Sequence, residues 1–196
     1  ENVVHVDGSV DPIRDKDIID AELQLKDLET VESRIQKIEK QVRVGGDKQA
    51  RVALDVLLKY RDALSQGKSA RTVELINKDE ELVAKETMLL TSKPVLYVCN
   101  VDENSAVSGN KYVEQVREAV KDENAQVLIV AAKIESEIAE LETYEEREMF
   151  LAEIGLEESG VSRLIKAAYA LLELRTFLTA GSDEVRAWTF KAGSKA

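Results

Sequence analysis

Two short apolar runs separated by one helical segment constrain the fold of this chain more than any other feature. The runs occupy residues 94–99 and 126–130 and are rich in valine, leucine and isoleucine. Between them, residues 111–121 space their apolar side chains as an amphipathic helix does. A strand, a helix and a second strand in that order predict a parallel α/β sheet, which binds ligands at the carboxyl ends of its strands.

The loop after the first run carries an amide and a carboxylate. Its residues are Asn100, Val101, Asp102 and Glu103. This N-x-x-E sequence resembles the N-K-x-D motif of P-loop GTPases, whose asparagine faces purine N7 and whose aspartate accepts hydrogen bonds from guanine N1–H and N2–H. Glu103 is one methylene longer than aspartate, and Val101 replaces the lysine that packs along the base. Because a site built around one hydrogen-bond pattern rejects ligands that lack it, guanine recognition is not expected here.

A second polar loop follows the second run and consists of Ala131, Ala132 and Lys133. It is similar to the S-A-K motif of the same proteins, in which a backbone N–H contacts the base. Ala131 stands where serine is usual, which removes a hydroxyl and leaves the backbone donor. On this pattern alone, two ordinary strands that end in polar loops remain an alternative.

Four further segments resemble the YchF family, the Obg-like ATPases, in the family's order and along nearly the whole chain. They are residues 4–15, 22–32, 176–181 and 184–189. The resemblance implies an α/β fold: the C-terminal part of a P-loop nucleotide-binding, Rossmann-like domain, with an inserted antiparallel helical-hairpin domain and the first hairpin of a β-grasp TGS domain. The implied ranges are 1–14 and 91–173 for the nucleotide-binding domain, 15–90 for the helical domain and 174–196 for the start of the TGS domain.

The resemblance also implies a function. The family hydrolyses ATP slowly as a switch, acts with ribosomes in translation and stress responses, and prefers ATP to GTP through its N-x-x-E motif. In this chain the motif makes Asn100, Val101 and Glu103 the adenine-side residues, and Ala132 and Lys133 the second base-contacting loop. ATP is therefore the expected ligand, with GTP binding more weakly and Mg²⁺ held by residues outside this chain.

Two motifs of P-loop proteins are absent from the sequence. It contains neither G-x-x-x-x-G-K-[ST], whose backbone, lysine and hydroxyl bind the phosphates and Mg²⁺, nor the D-x-x-G switch motif. Phosphoryl transfer depends on such positioning groups more than on contacts to the base. We therefore expect that this chain by itself does not hydrolyse ATP, and that it is a piece of a longer protein.

Charge and composition argue against several classes of function. The formal net charge of −11 disfavours a broad grip on nucleic acid, so no DNA partner is expected. No run reaches the length of a membrane span, so no membrane association is expected. Cys99, the single cysteine, is predicted to be an inert core thiol, and His5, the single histidine, to have no functional role. With the family resemblance, these features favour a cytoplasmic protein.

Residues 15–65 have the pattern of two paired helices. A Gly-Gly pair at 45–46 ends the first helix and Asp47 can cap the second, so the close return favours an antiparallel hairpin over a dimeric coiled coil. The apolar stripe predicted for the first helix consists of Ile18, Ala21, Leu25, Leu28, Val31, Ile35, Ile38 and Val42.

The remaining elements are predicted from local signals. A helix over residues 77–90 begins with Asn77 and Glu80 as a capping box. After Thr176 the apolar period changes to two, which predicts a β-hairpin with Trp188 in its core. Further helices are predicted near residues 134–142, 144–154 and 160–173.

Basic side chains concentrate at the predicted tip of the helical hairpin. Residues 30–61 contain eight lysines and arginines against four acidic residues, although the whole chain is acidic. Such an arm can contact an RNA surface locally while the acidic body stays away from it, and a solvated charged face is the alternative. The possible RNA or ribosome contacts are Arg34, Lys37, Lys40, Arg43, Lys48 and Arg51.

Two functions remain open at this point. One is a nucleotide-dependent regulator, an Obg-like ATPase represented by its base-recognition half. The other is a non-enzymatic helical-hairpin module that contacts RNA or protein. The ten glutamates within residues 135–158 are predicted to form solvated faces rather than a metal or acid–base site.

Overall fold

The computed structural model describes residues 8–45, 48–123 and 125–194. The chain divides into two compact units, Glu1–Pro94 and Val95–Ala196, which we call the helical unit and the α/β unit. The predictions for His5, for residues 46–47 and for the resembling segment before residue 8 lie outside the described residues. Among the described helices, none combines the length and the apolar character that crossing a membrane requires.

All regular secondary structure in the described part of the helical unit is helical. They are α1 (Pro12–Arg43), α2 (Lys48–Ser65), a 3-10 turn (Ala70–Thr72) and α3 (Lys78–Thr87). The predicted helical pair is thus confirmed. α1 begins three residues before the predicted start, because Pro12 suits the first helical position and the Asp11 side chain accepts a hydrogen bond from Arg14 N–H at 3.1 Å.

The core of the helical unit lies between α1 and α2. Val31 and Ile35 from α1 pack with Val56, Leu57 and Tyr60 from α2, and all five are buried. Val31 and Ile35 are four apart, and Val56 and Leu57 precede Tyr60 by four and three residues, so each helix turns one apolar face toward the other. The short connection between the helices makes them antiparallel neighbours.

The predicted apolar stripe is wrong for the first half of α1. Ile18 and Leu25 are 46% and 65% exposed, whereas Val31 is fully buried. α1 has 32 residues and α2 has 18, so the first turns of α1 extend beyond the core that α2 helps to form.

The predicted capping box of α3 is only half formed. Asn77 Oδ1 accepts a hydrogen bond from Glu80 N–H at 2.9 Å, as predicted. The Glu80 carboxylate, however, accepts from Ile76 N–H at 3.1 Å and pairs with Lys59 Nζ at 2.8 Å, which ties α3 to α2. α3 ends at Thr87, three residues before the predicted end.

The Glu80–Lys59 pair should make the stability of the helical unit depend on pH. Hydrogen bonds from Lys59 and from Ile76 N–H hold the pKa of Glu80 below its usual range. A carboxyl whose pKa is lowered by folding stabilises the fold above its unfolded-state pKa, and this contribution disappears as the pH falls through the lowered value. We therefore expect Lys59→Met to reduce the free energy of unfolding clearly at about pH 7 and only slightly at about pH 2.

Urea denaturation followed by circular dichroism at the two pH values measures this difference. Lys85→Met is the matched control, because Lys85 is exposed on α3 and has no ion pair within the described residues. An equal loss at both pH values in Lys59→Met would contradict the assignment.

The α/β unit begins with the predicted strand, helix and strand. β1 (Leu96–Asn100) and β2 (Gln126–Val130) pair in parallel, and α4 (Lys111–Val120) connects them. The predicted strand–helix–strand order is confirmed. The helices that follow are α5 (Ala132–Glu140), α6 (Tyr144–Glu153) and α7 (Gly160–Leu171).

β1 is less buried than its apolar sequence predicts. Val98 is 46% exposed and Cys99 is half-buried. The reason is that β2 is the only strand paired with β1 in the described part of the chain. The partial burial nevertheless raises the pKa of the Cys99 thiol, which keeps it protonated and unreactive near neutral pH.

The unit also contains β3 (Leu174–Ala180) and β4 (Val185–Lys191), which form the predicted antiparallel hairpin. Phe177 and Phe190 meet edge to face on one of its surfaces, with ring centroids 5.7 Å apart. Trp188 was predicted to be core but is 46% exposed, and its Nε1–H donates to Thr179 Oγ1 at 2.9 Å. Two strands alone cannot enclose a core between them, which explains the error.

Candidate functional site

The parallel pairing of β1 and β2 brings the two polar loops to the same edge of the sheet. Asn100 lies opposite Val130, so both strands end at the same level. Val101 N–H donates to Val130 C=O at 2.9 Å and extends the pairing by one step into the first loop. The residues that follow each strand are therefore neighbours.

Asn100 links the two loops directly. Its Oδ1 accepts a hydrogen bond from Ala132 N–H at 3.1 Å. The Nδ2 group keeps both of its donors, since it donates no hydrogen bond within the described residues. Asn100 is exposed, so these donors can reach a ligand at the strand ends.

α5 begins two residues earlier than predicted, and this changes the role of the second loop. Ala131 is the buried N-cap residue, and it has no side-chain oxygen with which to cap the helix. Ala132 and Lys133 consequently lie in the first turn of α5, where backbone N–H groups have no partner inside the helix. Ala132 N–H already donates to Asn100 Oδ1. The next backbone donor along α5 that a ligand can use is therefore Lys133 N–H.

A second link between the loops is ionic. Lys133 Nζ pairs with the Glu103 carboxylate, and Glu137 Oε1 lies 3.9 Å away on the next turn of α5. The Lys133 side chain is 71% exposed and that of Glu103 is 45% exposed, so the pair is open to solvent. The hydrogen bond that Lys133 donates to Glu103, together with the negative charge of that carboxylate, raises the pKa of Lys133, which keeps the ammonium charged.

The other two residues of the first loop have structural roles. Asp102 caps the short 3-10 turn Glu103–Ser105, and its Oδ1 accepts hydrogen bonds from Ser105 N–H and Ser105 Oγ, each at 3.0 Å. The Val101 side chain packs against the apolar cluster around Ala131 and Ile134. Of the residues predicted to read a base, Asn100, Glu103, Ala132 and Lys133 therefore meet at the sheet edge, while Val101 supports them from the core side.

Glu135 supports this arrangement and was not predicted to do so. Its carboxylate accepts hydrogen bonds from Gly160 N–H at 2.6 Å and Val161 N–H at 3.1 Å, which fastens α5 to the first turn of α7. A side chain at Gly160 would place its Cβ only 2.8 Å from Glu135 Oε1. No sequence signal reveals such a contact, because the two residues are 25 positions apart. The contact fixes the helix that carries Lys133.

The basic residues predicted at the tip of the helical unit lie at the end of α1 and the start of α2. Lys37, Lys40, Arg43 and Arg51 are exposed, and none forms an ion pair within the described residues; we call these four the tip cations. The other two basic residues are engaged: Arg34 Nη1 donates to Glu86 C=O at 3.3 Å and Lys48 Nζ lies 3.8 Å from Asp79 Oδ2.

The glutamates of α5 and α6 do not come together as the residues at the sheet edge do. In the described ranges, no group of three or more His, Cys, Asp or Glu side chains is arranged to hold a metal ion. α6 has no buried residue, and its Glu146 serves the capping box with Thr143.

Comparison with known proteins places the chain in a family. No family model matches it. Over its full length it is 52% identical to the ribosome-binding ATPase YchF of Bacillus subtilis and 40% identical to human Obg-like ATPase 1, covering 53% and 50% of those proteins. The solved structure of the Schizosaccharomyces pombe YchF GTPase matches all of the chain with a TM-score of 0.84 at 27% identity, over 53% of that protein.

These matches cover only part of each relative. The chain spans about half the length of the curated relatives it matches. Their names agree on the family and differ on the nucleotide, since some are called ATPases and the solved structure is called a GTPase. With 40% to 52% identity along its whole length, the chain belongs to the YchF family of Obg-like ATPases.

Proposed function

We propose that this chain carries the base-binding half of a nucleotide site in a ribosome-associated ATPase, and that the site prefers ATP to GTP. The observation that carries the proposal is the double link between the loops: Asn100 to Ala132 and Glu103 to Lys133. It assembles an amide, a carboxylate and an ammonium group at the carboxyl end of a parallel sheet, where α/β folds bind nucleotides.

Asn100 and Glu103 have different roles in binding the base. Asn100 Oδ1 is engaged by Ala132 N–H, so Asn100 presents donors, which suit purine N7. Adenine and guanine share N7, so Asn100 holds a purine without choosing between them. Discrimination then falls to Glu103, the residue on the side where guanine would present N1–H and N2–H.

The complete protein is proposed to hydrolyse ATP slowly as a switch in the cytoplasm. Mg²⁺ and the phosphates would be held by residues outside this chain, since its sequence has no G-x-x-x-x-G-K-[ST] motif. In the corresponding domain organisation, residues 1–14 and 91–173 belong to a P-loop domain, 15–90 form an inserted helical domain and 174–196 begin a TGS domain. The confirmed helical pair and β-hairpin support this division.

Nucleotide preference in the complete protein tests the proposal. We expect ATP to bind at least about tenfold more tightly than GTP in equilibrium titrations with Mg²⁺, because Glu103 does not reproduce the guanine-reading geometry of aspartate. Glu103→Asp should move the preference toward GTP, incompletely, since Val101 stands where GTPases have a lysine. Glu140→Asp, the same change at the exposed C-terminal end of α5, should leave the preference unchanged. Equal or tighter binding of GTP by the unaltered protein would refute the assignment.

A ribosome or RNA contact through the helical tip is the second part of the proposal. The specific observation is that the tip cations have no acidic partner within the described residues. Unpaired cations can neutralise phosphates without first breaking ion pairs. If ribosome binding proves independent of nucleotide, the alternative of a purely non-enzymatic helical module gains support.

A further inference from the structure

Lys133 occupies an unfavourable position that Glu103 offsets. The first turn of a helix carries a partial positive charge, which disfavours a cation there. Lys133 is the second residue of α5, and the Glu103 carboxylate on the other loop pairs with its ammonium. Glu137 lies 3.9 Å from the same ammonium and adds to the local negative charge. The Lys133 side chain therefore extends from α5 to Glu103 on the other loop.

This pairing changes what Glu103 can offer to a ligand. A guanine base needs a carboxylate that accepts from N1–H and N2–H with its two oxygens together, and the Lys133 ammonium is already paired with one of them, Glu103 Oε1. Guanine would have to displace the ammonium before it could use both oxygens of that carboxylate. Adenine has no N1–H and no exocyclic group at C2, so it makes no such demand.

We propose that Lys133 is a specificity-determining residue of the base site, which weakens GTP binding by holding the Glu103 carboxylate away from guanine. The proposal rests on the proposed base-binding function and adds a mechanism for its selectivity. It differs from a direct contact between Lys133 and adenine, because it assigns the effect to GTP rather than to ATP.

The expected size follows from the exposure of the pair. Exposed ion pairs contribute modestly to free energy, so release of Glu103 should improve GTP affinity by roughly three- to tenfold. The pair is also accessible to salt, so the discrimination that it causes should decrease at high ionic strength.

Equilibrium titration of ATP and GTP into the complete protein tests the proposal with four variants. Lys133→Met removes the ammonium and keeps much of the side-chain volume, and Lys133→Arg keeps the pair. Lys133→Met combined with Glu103→Gln removes the carboxylate that guanine would gain. Lys166→Met is the matched control, since Lys166 is also 71% exposed and also pairs with a glutamate, Glu158.

The expected result is tighter GTP binding in Lys133→Met, with ATP affinity nearly unchanged. Lys133→Arg and Lys166→Met should behave like the unaltered protein, and the double variant should lose the gain for GTP. Weaker ATP binding with unchanged GTP binding would instead indicate a direct contact to adenine and overturn the proposal. Unchanged affinities in Lys133→Met would overturn it as well, while leaving the adenine preference standing. If the unaltered protein fails to prefer ATP, the proposed function fails together with this inference.

Discussion

Asp27→Ala is expected to lower the free energy of unfolding of the helical unit by about 3 to 4 kcal/mol. Asp27 is 2% exposed in the middle of α1. Its carboxylate accepts hydrogen bonds from Leu90 N–H at 2.8 Å, from Thr91 N–H at 2.7 Å and from Thr91 Oγ1 at 2.7 Å. Alanine would leave these donors buried without partners and would open a cavity beside them.

The Asp27 contact also organises its surroundings. Thr91 Oγ1 accepts a hydrogen bond from Ala70 N–H at 2.9 Å, and Thr91 C=O accepts one from Arg71 N–H at 3.1 Å. A single carboxylate on α1 thus holds the segment after α3, which in turn holds the 3-10 turn after α2. We expect the loss to spread through this network, so the effect should exceed that of one surface hydrogen bond.

Urea denaturation of the protein, followed by circular dichroism at 222 nm as a roughly helix-specific signal, measures the change. Asp55→Ala is the matched control, because Asp55 is an exposed aspartate on α2, and it should cost less than about 0.5 kcal/mol. Asp27→Asn should be nearly as damaging as alanine, because its NH₂ group would face donors. If Asp27→Ala costs no more than Asp55→Ala, the contact has no stabilising role.

Lys40→Glu combined with Arg43→Glu is expected to weaken binding of the complete protein to ribosomes by about 100-fold at low salt. Both side chains are tip cations, exposed at the end of α1. The reversal removes two charges that are proposed to bind phosphate and adds two that would repel the RNA backbone. The dependence of the logarithm of the affinity on the logarithm of the salt concentration should become shallower by about two units, one for each lost phosphate contact.

Cosedimentation with purified ribosomes over a salt series measures both quantities. Lys68→Glu combined with Lys93→Glu is the matched control. These two exposed lysines lie outside the tip, after α2 and after α3, and form no ion pair within the described residues. An equal loss in both double variants would attribute the effect to net charge alone. Unchanged binding in the tip variant would remove the helical tip from the ribosome contact.

The secondary structure was largely predictable because its signals are local. The apolar spacing between residues 111 and 121 predicted α4, and the apolar runs on either side predicted β1 and β2. The period of two after Thr176 predicted the hairpin of β3 and β4. Each of these patterns depends on residues within one or two turns, or on alternate positions of one strand.

Burial was predicted less well, because it depends on which other elements are present. Leu25 has the right spacing for the core of α1 but is 65% exposed, and Trp188 is 46% exposed on its hairpin. Leu25 on α1 and Trp188 on β4 both stay exposed because no neighbouring helix or strand in the described part of the chain packs over them. Asp27 was missed for the opposite reason, since the donors that make its burial favourable lie 63 and 64 positions away.

Local patterns in the amino-acid sequence were enough to identify the family, the order of the strands and helices, and the presence of Glu103 where GTPases have an aspartate. Three contacts became known only from the folded chain: Asn100 Oδ1 accepts a hydrogen bond from Ala132 N–H, Lys133 pairs with Glu103, and Glu135 links α5 to α7. The physical reason is that chemical identity and local periodicity are properties of the chain. Which donor meets which acceptor is set by the parallel register of β1 and β2 and by the packing of α5.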